Sequence, residues 1–98
     1  MRFFLSFTPT ATADLKELKE AAHLRKRFKA VSKALVFLQE NPRRPSLQTH
    51  EYSSFAGPRG EKVFEAYAEQ NTPAAYRIFF FYGRQKGEIV IVTITPHP

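Results

Sequence analysis

The sequence has no cysteine, and it has no hydrophobic run long enough for a membrane-spanning helix. The first absence excludes a disulfide framework and thiolate metal sites, and it is typical of proteins in a reducing cytoplasm. The second argues against a transmembrane helix, because a span needs about 20 apolar residues. The opening MRFFLSF becomes polar too soon for a secretory signal. We therefore expect a soluble, cytoplasmic protein with no membrane partner.

Several catalytic and cofactor motifs are absent as well. There is no glycine-rich phosphate loop, no G-x-S-x-G, and no pair of histidines with H-x-x-x-H spacing. We therefore expect neither a cofactor nor a metal. The length of 98 residues predicts a single domain over residues 1–98, with ten Phe and four Tyr available for its core.

Positive charge is in excess. Fifteen Lys and Arg against nine Asp and Glu give a net charge of +6, and such a small basic domain attracts polyanions such as nucleic acid. The candidate nucleic-acid-binding residues lie on a predicted helix and just after it: Arg25, Lys26, Arg27, Lys29, Lys33, Arg43 and Arg44. The alternative interpretation is an ordinary solvated helix face.

Hydrophobic periodicity predicts an α+β fold with the order β-α-α-β-β-β. The pattern places a strand over residues 1–8, helices over 13–22 and 24–40, a polar loop up to residue 60, and strands over 62–69, 74–83 and 88–95. Thr10 and Thr12 are candidate caps of the first helix, and Thr12 is favoured because Asp14 then falls in the first turn. We expect an antiparallel sheet with the two N-terminal helices packed on one face.

The strand over residues 74–83 carries Arg77 in its middle. A guanidinium is costly to bury without a partner. We therefore expect the face with Arg77 to be open and the opposite face, with Tyr76, Ile78, Phe80 and Tyr82, to be packed.

In a simple strand register, Glu65, Tyr67, Arg77 and His97 can converge on one side of the sheet. RNA cleavage by internal attack needs such groups, because a base takes the proton of the ribose 2′-hydroxyl, a cation stabilises the phosphorane, and an acid protonates the leaving 5′-oxygen. No metal is required. Simpler interpretations are that Glu65 is a cross-strand partner of Arg77, that Tyr67 is a packing residue, and that His97 is a terminal residue without a role.

Four segments, in this order and spacing, resemble the RelE/ParE superfamily of bacterial type II toxins. They are ENPRRPSL after the second helix, KVFEAYAE, AYRIFFFY, and the final ITPHP. The resemblance spans nearly the whole chain and implies a RelE-like fold. It also implies a cognate antitoxin as partner, with mRNA and possibly the ribosome as target.

The resemblance further implies roles for single residues. In ribonuclease members the strand arginine binds the scissile phosphate, which corresponds to Arg77, and a histidine after the last strand transfers protons, which corresponds to His97. Some members use a histidine in the loop before the second strand, which matches His50; the alternative here is a loop histidine that caps a backbone group. Glu65 stands where members place a catalytic lysine or another polar group.

The sequence also departs from the family pattern. Several RelE-like nucleases have a lysine pair where this chain has Glu65 and Tyr67. Many also carry a catalytic tyrosine in a C-terminal helix or tail, and this sequence, which ends at Pro98, has no residue at that position. ParE-like members share the fold, are not nucleases, and act on DNA gyrase. The first hypothesis is a metal-independent endoribonuclease toxin. Because of these departures, two alternatives stay open: a gyrase-inhibiting toxin, and an inactive module that pairs with an antitoxin.

Overall fold

The computed structural model describes residues 2–96, which form an α+β fold. Its elements in chain order are β1 (Phe4–Phe7), α1 (Pro9–Glu20), a 3-10 turn (Ala22–Leu24), α2 (Arg25–Glu40), a second 3-10 turn (Pro45–Leu47), β2 (His50–Ala56), β3 (Lys62–Tyr67), β4 (Tyr76–Tyr82) and β5 (Glu88–Pro96). None of the helices in this part of the chain is long and apolar enough to cross a membrane.

The strands form one mixed sheet with the order β1-β5-β4-β3-β2. β1 lies parallel to β5, with Phe4 opposite Glu88, whereas the other pairs are antiparallel. The prediction of a purely antiparallel sheet was therefore wrong. The long connection from β1 through both helices and three strands removes the constraint of a tight turn, so the two terminal strands can pair in the parallel sense.

β2 is a strand that the sequence analysis interpreted as loop, so the element order has one more strand than predicted. His50 lies opposite Glu65 and Ala56 lies opposite Lys62, with an irregular register between Glu51 and Ala56. Most of the strand is exposed at the edge of the sheet. An exposed, bulged edge strand has no regular apolar alternation, which is why the pattern did not reveal it.

The observed bounds of helix α2 agree with the predicted ones to within one residue. Val31, Leu35 and Leu38 are buried at the predicted helical spacing. Helix α1 begins four residues earlier than predicted, because Pro9 occupies the first helical position and the Thr8 hydroxyl accepts a hydrogen bond from the Ala11 amide at 3.0 Å.

The core lies between the helices and one face of the sheet. Buried side chains of both helices belong to the same cluster as β4 and β5 residues of that face; the cluster includes Leu18, Val31, Leu38, Ile78, Phe80, Ile91 and Ile94. The Phe64 and Phe80 rings stack within this layer, with centroids 5.7 Å apart. This packing fixes β4, and with it the position of Arg77.

Helix α1 also holds β5 beyond Ile91, where the pairing with β1 ends. The Asp14 carboxylate accepts hydrogen bonds from the Thr93 hydroxyl at 2.7 Å and the Ile94 amide at 3.0 Å. The Thr8 hydroxyl donates to the Val92 carbonyl at 2.7 Å. Asp14 lies in the second turn of α1 rather than the predicted first turn. Its carboxylate accepts hydrogen bonds from β5 where β1 no longer pairs with that strand.

Replacing Asp14 by alanine should lower the free energy of unfolding by about 1–3 kcal/mol, because the Ile94 amide and the Thr93 hydroxyl lose their acceptor. Urea unfolding followed by circular dichroism measures this loss. Glu20→Ala, which removes an exposed carboxylate from the same helix, is the control and should change stability by less than about 0.5 kcal/mol. Equal effects of the two substitutions would contradict the assignment.

Candidate active site

Strand register brings four of the predicted site residues to one face of the sheet. Tyr67 on β3 lies opposite Arg77 on β4, and His50 on β2 lies opposite Glu65 on β3. Glu65 and Tyr67 share a face because they are two residues apart in a strand. We call His50, Glu65, Tyr67 and Arg77 the polar cluster.

The members of the polar cluster are in direct contact. His50 Nε2 lies 2.8 Å from Glu65 Oε1, and Arg77 Nε lies 3.6 Å from Glu65 Oε2. The Arg77 guanidinium stacks over the Tyr67 ring at 3.7 Å, and the His50 and Tyr67 rings meet edge to face with centroids 5.8 Å apart. Three of the four residues that were predicted to converge, Glu65, Tyr67 and Arg77, therefore lie together, and His50 joins them; the fourth, His97, lies outside the described residues.

Arg77 is buried, which corrects the expectation of an open face. Only 7% of the residue is exposed, and its Nη1 donates to the Glu69 carbonyl at 3.0 Å. The face it shares with Phe79 is covered, because the rings of Tyr52 and Phe55 on β2 pack against Phe79 at 4.9 and 5.6 Å. On the opposite face, Tyr82 is exposed rather than packed as predicted.

Glu65 lies at the centre of the polar cluster and is 3% exposed. A buried carboxylate is tolerated only where cations and hydrogen-bond donors surround it. Here Arg77 and His50 lie on either side of it. The carboxylate therefore links strands β2, β3 and β4 and fixes the orientation of the His50 ring.

His50 is the accessible member of the polar cluster, with 46% of its side chain exposed. Its Nδ1 lies 2.8 Å from the Gln48 carbonyl, and its Nε2 faces the Glu65 carboxylate. A neutral imidazole has one N–H and can donate to only one of these acceptors, whereas a protonated ring can donate to both. Both ring nitrogens of His50 therefore face acceptors, and the contact with the Gln48 carbonyl is the solvent-exposed one.

His97 lies outside the described residues, so its place in the site stays a prediction. The last described residue, Pro96, pairs with Tyr76, and Thr95 pairs with Arg77.

Most of the predicted nucleic-acid-binding residues are exposed, and one is engaged elsewhere. The exposed ones are Arg25, Lys26, Lys29, Lys33, Arg43 and Arg44. Arg27 forms an ion pair with Glu69 at 2.7 Å, so it ties α2 to the segment between β3 and β4. Its guanidinium is therefore less available to a ligand than the other cations.

The sequence did not predict two sets of contacts at the site. Tyr52 and Phe55 cover the face beside Arg77, and Glu69 accepts hydrogen bonds from Arg27 and from the Tyr76 amide. The two rings in HEYSSFA were the available signal, since aromatic residues favour strands. Nothing in the local pattern marks Glu69 as a link between α2 and the sheet.

Solved toxin structures have the same fold. The toxin described as YoeB/ParE from Agrobacterium tumefaciens aligns over 100% of both chains with a TM-score of 0.69 and 8% identity. The archaeal RelE–RelB complex from Pyrococcus horikoshii aligns over 98% of this chain and 96% of that one (TM-score 0.65, 13% identity). The RelBE toxin–antitoxin complex of E. coli aligns over 98% of each chain (TM-score 0.62, 17% identity).

These likenesses establish the class of fold. The chain has a RelE-like fold, as the resemblance in its sequence implied. No protein-family model matches the sequence, and no curated protein matches it.

Removing Arg77 alone should lower the free energy of unfolding more than removing Arg77 and Glu65 together. We expect Arg77→Met to cost about 3–5 kcal/mol, because it leaves the buried Glu65 carboxylate without its guanidinium, and the double variant Arg77→Met/Glu65→Leu to recover most of that loss. Urea unfolding measures both.

The control is Arg84→Met, which removes an exposed guanidinium after β4 and should have little effect. Glu65→Leu alone is measured as well, and if the double variant lost the sum of the losses of Arg77→Met and Glu65→Leu, the two side chains would not be energetically coupled.

Proposed function

We propose that this protein is the toxin of a type II toxin–antitoxin system and that it is a metal-independent endoribonuclease acting on mRNA, associated with the ribosome. The observation that carries the proposal is the His50–Glu65 pair, with a 2.8 Å contact and an exposed imidazole, on a chain of net charge +6. The fold supports the same class of protein.

His50 is the proposed general base, because it is the exposed member of the pair. It takes the proton of the ribose 2′-hydroxyl at Nδ1, which must leave the exposed contact with the Gln48 carbonyl when RNA binds, while Nε2 stays on Glu65. The deprotonated 2′-oxygen then attacks the adjacent phosphate. Glu65 is too buried to reach RNA, so it is a positioning residue that orients the imidazole. His97 is retained as the proposed general acid for the leaving 5′-oxygen.

Arg77 receives a different role from the one that the resemblance implies. Its guanidinium is engaged by Glu65, the Tyr67 ring and the Glu69 carbonyl. We therefore assign it to holding Glu65, with Tyr67 stacked on it, rather than to binding the scissile phosphate. Arg43 and Arg44 are exposed and line the same cavity as His50, so their charges are available to an RNA phosphate.

The proposed partner is a cognate antitoxin. Two of the similar structures are toxins in complex with their antitoxins, RelB in each case. A basic surface favours an acidic partner, and complementary charge speeds the association of two proteins.

Inhibition of DNA gyrase is the second candidate. Two observations favour it: Glu65 and Tyr67 occupy the positions of the lysine pair expected of a nuclease, and Arg77 is buried. One similar structure is also described as a YoeB/ParE toxin. An inactive module that only pairs with an antitoxin is the third candidate.

Induced expression in a bacterial host, followed within minutes by primer extension on abundant mRNAs, tests the proposal. We expect new 5′ ends within coding regions, and we expect His50→Ala to reduce them by at least about a hundredfold, the usual contribution of a general base. His97→Ala should have a comparable effect. The control His23→Ala removes an exposed histidine of the turn between the helices and should cleave like the wild type.

Each other outcome selects a rival. Growth arrest with intact mRNA and broken DNA would favour gyrase as the target. No arrest and no cleavage, with the protein folded, would favour the inactive module. Because Arg77 supports the fold, loss of activity in an Arg77 variant is informative only where circular dichroism shows a native structure.

A further inference from the structure

A second binding feature adjoins the polar cluster. A cavity of about 480 Å³ is lined by residues that include Arg43, Arg44, Gln48, His50, Phe64 and Tyr82. His50, on the edge strand β2, lines this cavity and also contacts Glu65, whereas Phe64 and Tyr82 lie on the face of the sheet opposite to Glu65. The cavity therefore reaches the strand edge that carries the proposed general base.

One wall of the cavity is a rigid aromatic surface. The Tyr82 ring contacts Phe64 at 5.6 Å and Phe80 at 5.8 Å, both edge to face, and it contacts Phe3 at 6.2 Å. Phe80 is fully buried, which anchors this group of rings in the core. Tyr82 nevertheless remains 42% exposed, so the structure presents part of a fixed ring to the solvent.

The residues that line the cavity also include two cations, Arg43 and Arg44. The Arg43 amide donates to the Asn41 side chain at 3.0 Å, which orders the loop after α2. The Arg44 guanidinium stacks over the Phe37 ring at 3.6 Å, and its Nε donates to the Ser46 hydroxyl at 3.2 Å. Within residues 2–96 neither arginine is paired with a carboxylate, and no Asp or Glu lines the cavity.

A fixed aromatic ring, two arginines and the amide of Gln48 together match the parts of a nucleotide. A nucleobase stacks on an aromatic face, a phosphate binds guanidinium groups, and an amide can hydrogen-bond a base edge. We propose that this cavity binds one nucleotide of the RNA strand next to the cleaved bond, with its base on Tyr82 and its phosphate held by Arg43 and Arg44. The inference rests on the proposed function for the identity of the polymer.

Binding of a short RNA that cannot be cleaved tests this site without any need for catalysis. The probe is a fluorescent 2′-O-methyl trinucleotide, which lacks the attacking hydroxyl, and affinity is measured by anisotropy at several salt concentrations. We expect Tyr82→Leu to weaken binding by about tenfold, because stacking on the ring is lost, and Tyr82→Phe to bind within about twofold of the wild type. Amide chemical shifts of the wild type should change at β4 and in the loop after α2.

Arg43→Gln should weaken binding and reduce the slope of log affinity against log salt by about 0.7, the value for one phosphate contact on a single strand. Lys16→Gln, which removes the same charge from the exposed side of α1, should leave that slope closer to the wild-type value. Circular dichroism verifies that each variant is folded.

The inference and the proposed function can fail separately. Wild-type affinity in both Tyr82→Leu and Arg43→Gln, or chemical-shift changes confined to other surfaces, would overturn the nucleotide site even if the protein cleaves mRNA. A probe bound at the cavity by a protein that leaves mRNA intact would support the site and contradict the nuclease proposal. No binding of the trinucleotide at low salt would also overturn the site.

Discussion

The buried contact between Arg77 and Glu65 is the interaction on which the rest of the site depends. Two charged groups taken out of water are stable only if they pair and if their other hydrogen-bonding atoms find partners. Arg77 Nη1 donates to the Glu69 carbonyl and the guanidinium stacks on the Tyr67 ring, while Glu65 contacts His50 at 2.8 Å and Arg77 Nε at 3.6 Å. These contacts require the register in which Tyr67 lies opposite Arg77 and His50 lies opposite Glu65.

The same constraint divides the polar cluster into a buried and an accessible part. Arg77 and Glu65 are buried behind strand β2, whereas His50 lies at the edge where β2 begins. Under the proposed function, the imidazole is the group that the RNA substrate can reach, and the buried pair orients it. The exposed Arg43 and Arg44 after α2 line the cavity that His50 also lines, and they would supply positive charge to that RNA.

Local patterns in the sequence predicted the parts of this arrangement that depend on periodicity. The spacing of apolar residues gave α2 and the later strands, and strand parity placed Glu65, Tyr67 and Arg77 on one face. The errors have a common origin in contacts between distant segments. Tyr52 and Phe55 close the face of Arg77 from a strand that has no regular pattern, and β1 meets β5 across almost the whole chain. The start of α1 was predictable from Thr8-Pro9, since proline favours the first helical position.

The chemistry of the RNA ends produced by the purified protein on ribosome-bound mRNA tests the central claim most directly. Attack by the 2′-hydroxyl, activated at His50, yields a 2′,3′-cyclic phosphate on one fragment and a 5′-hydroxyl on the other, and mass spectrometry identifies both ends. The account predicts these ends, together with resistance of an mRNA that carries a single 2′-O-methyl group at the cleaved position. Fragments with 3′-hydroxyl and 5′-phosphate ends, or cleavage that persists at the methylated position, would contradict it.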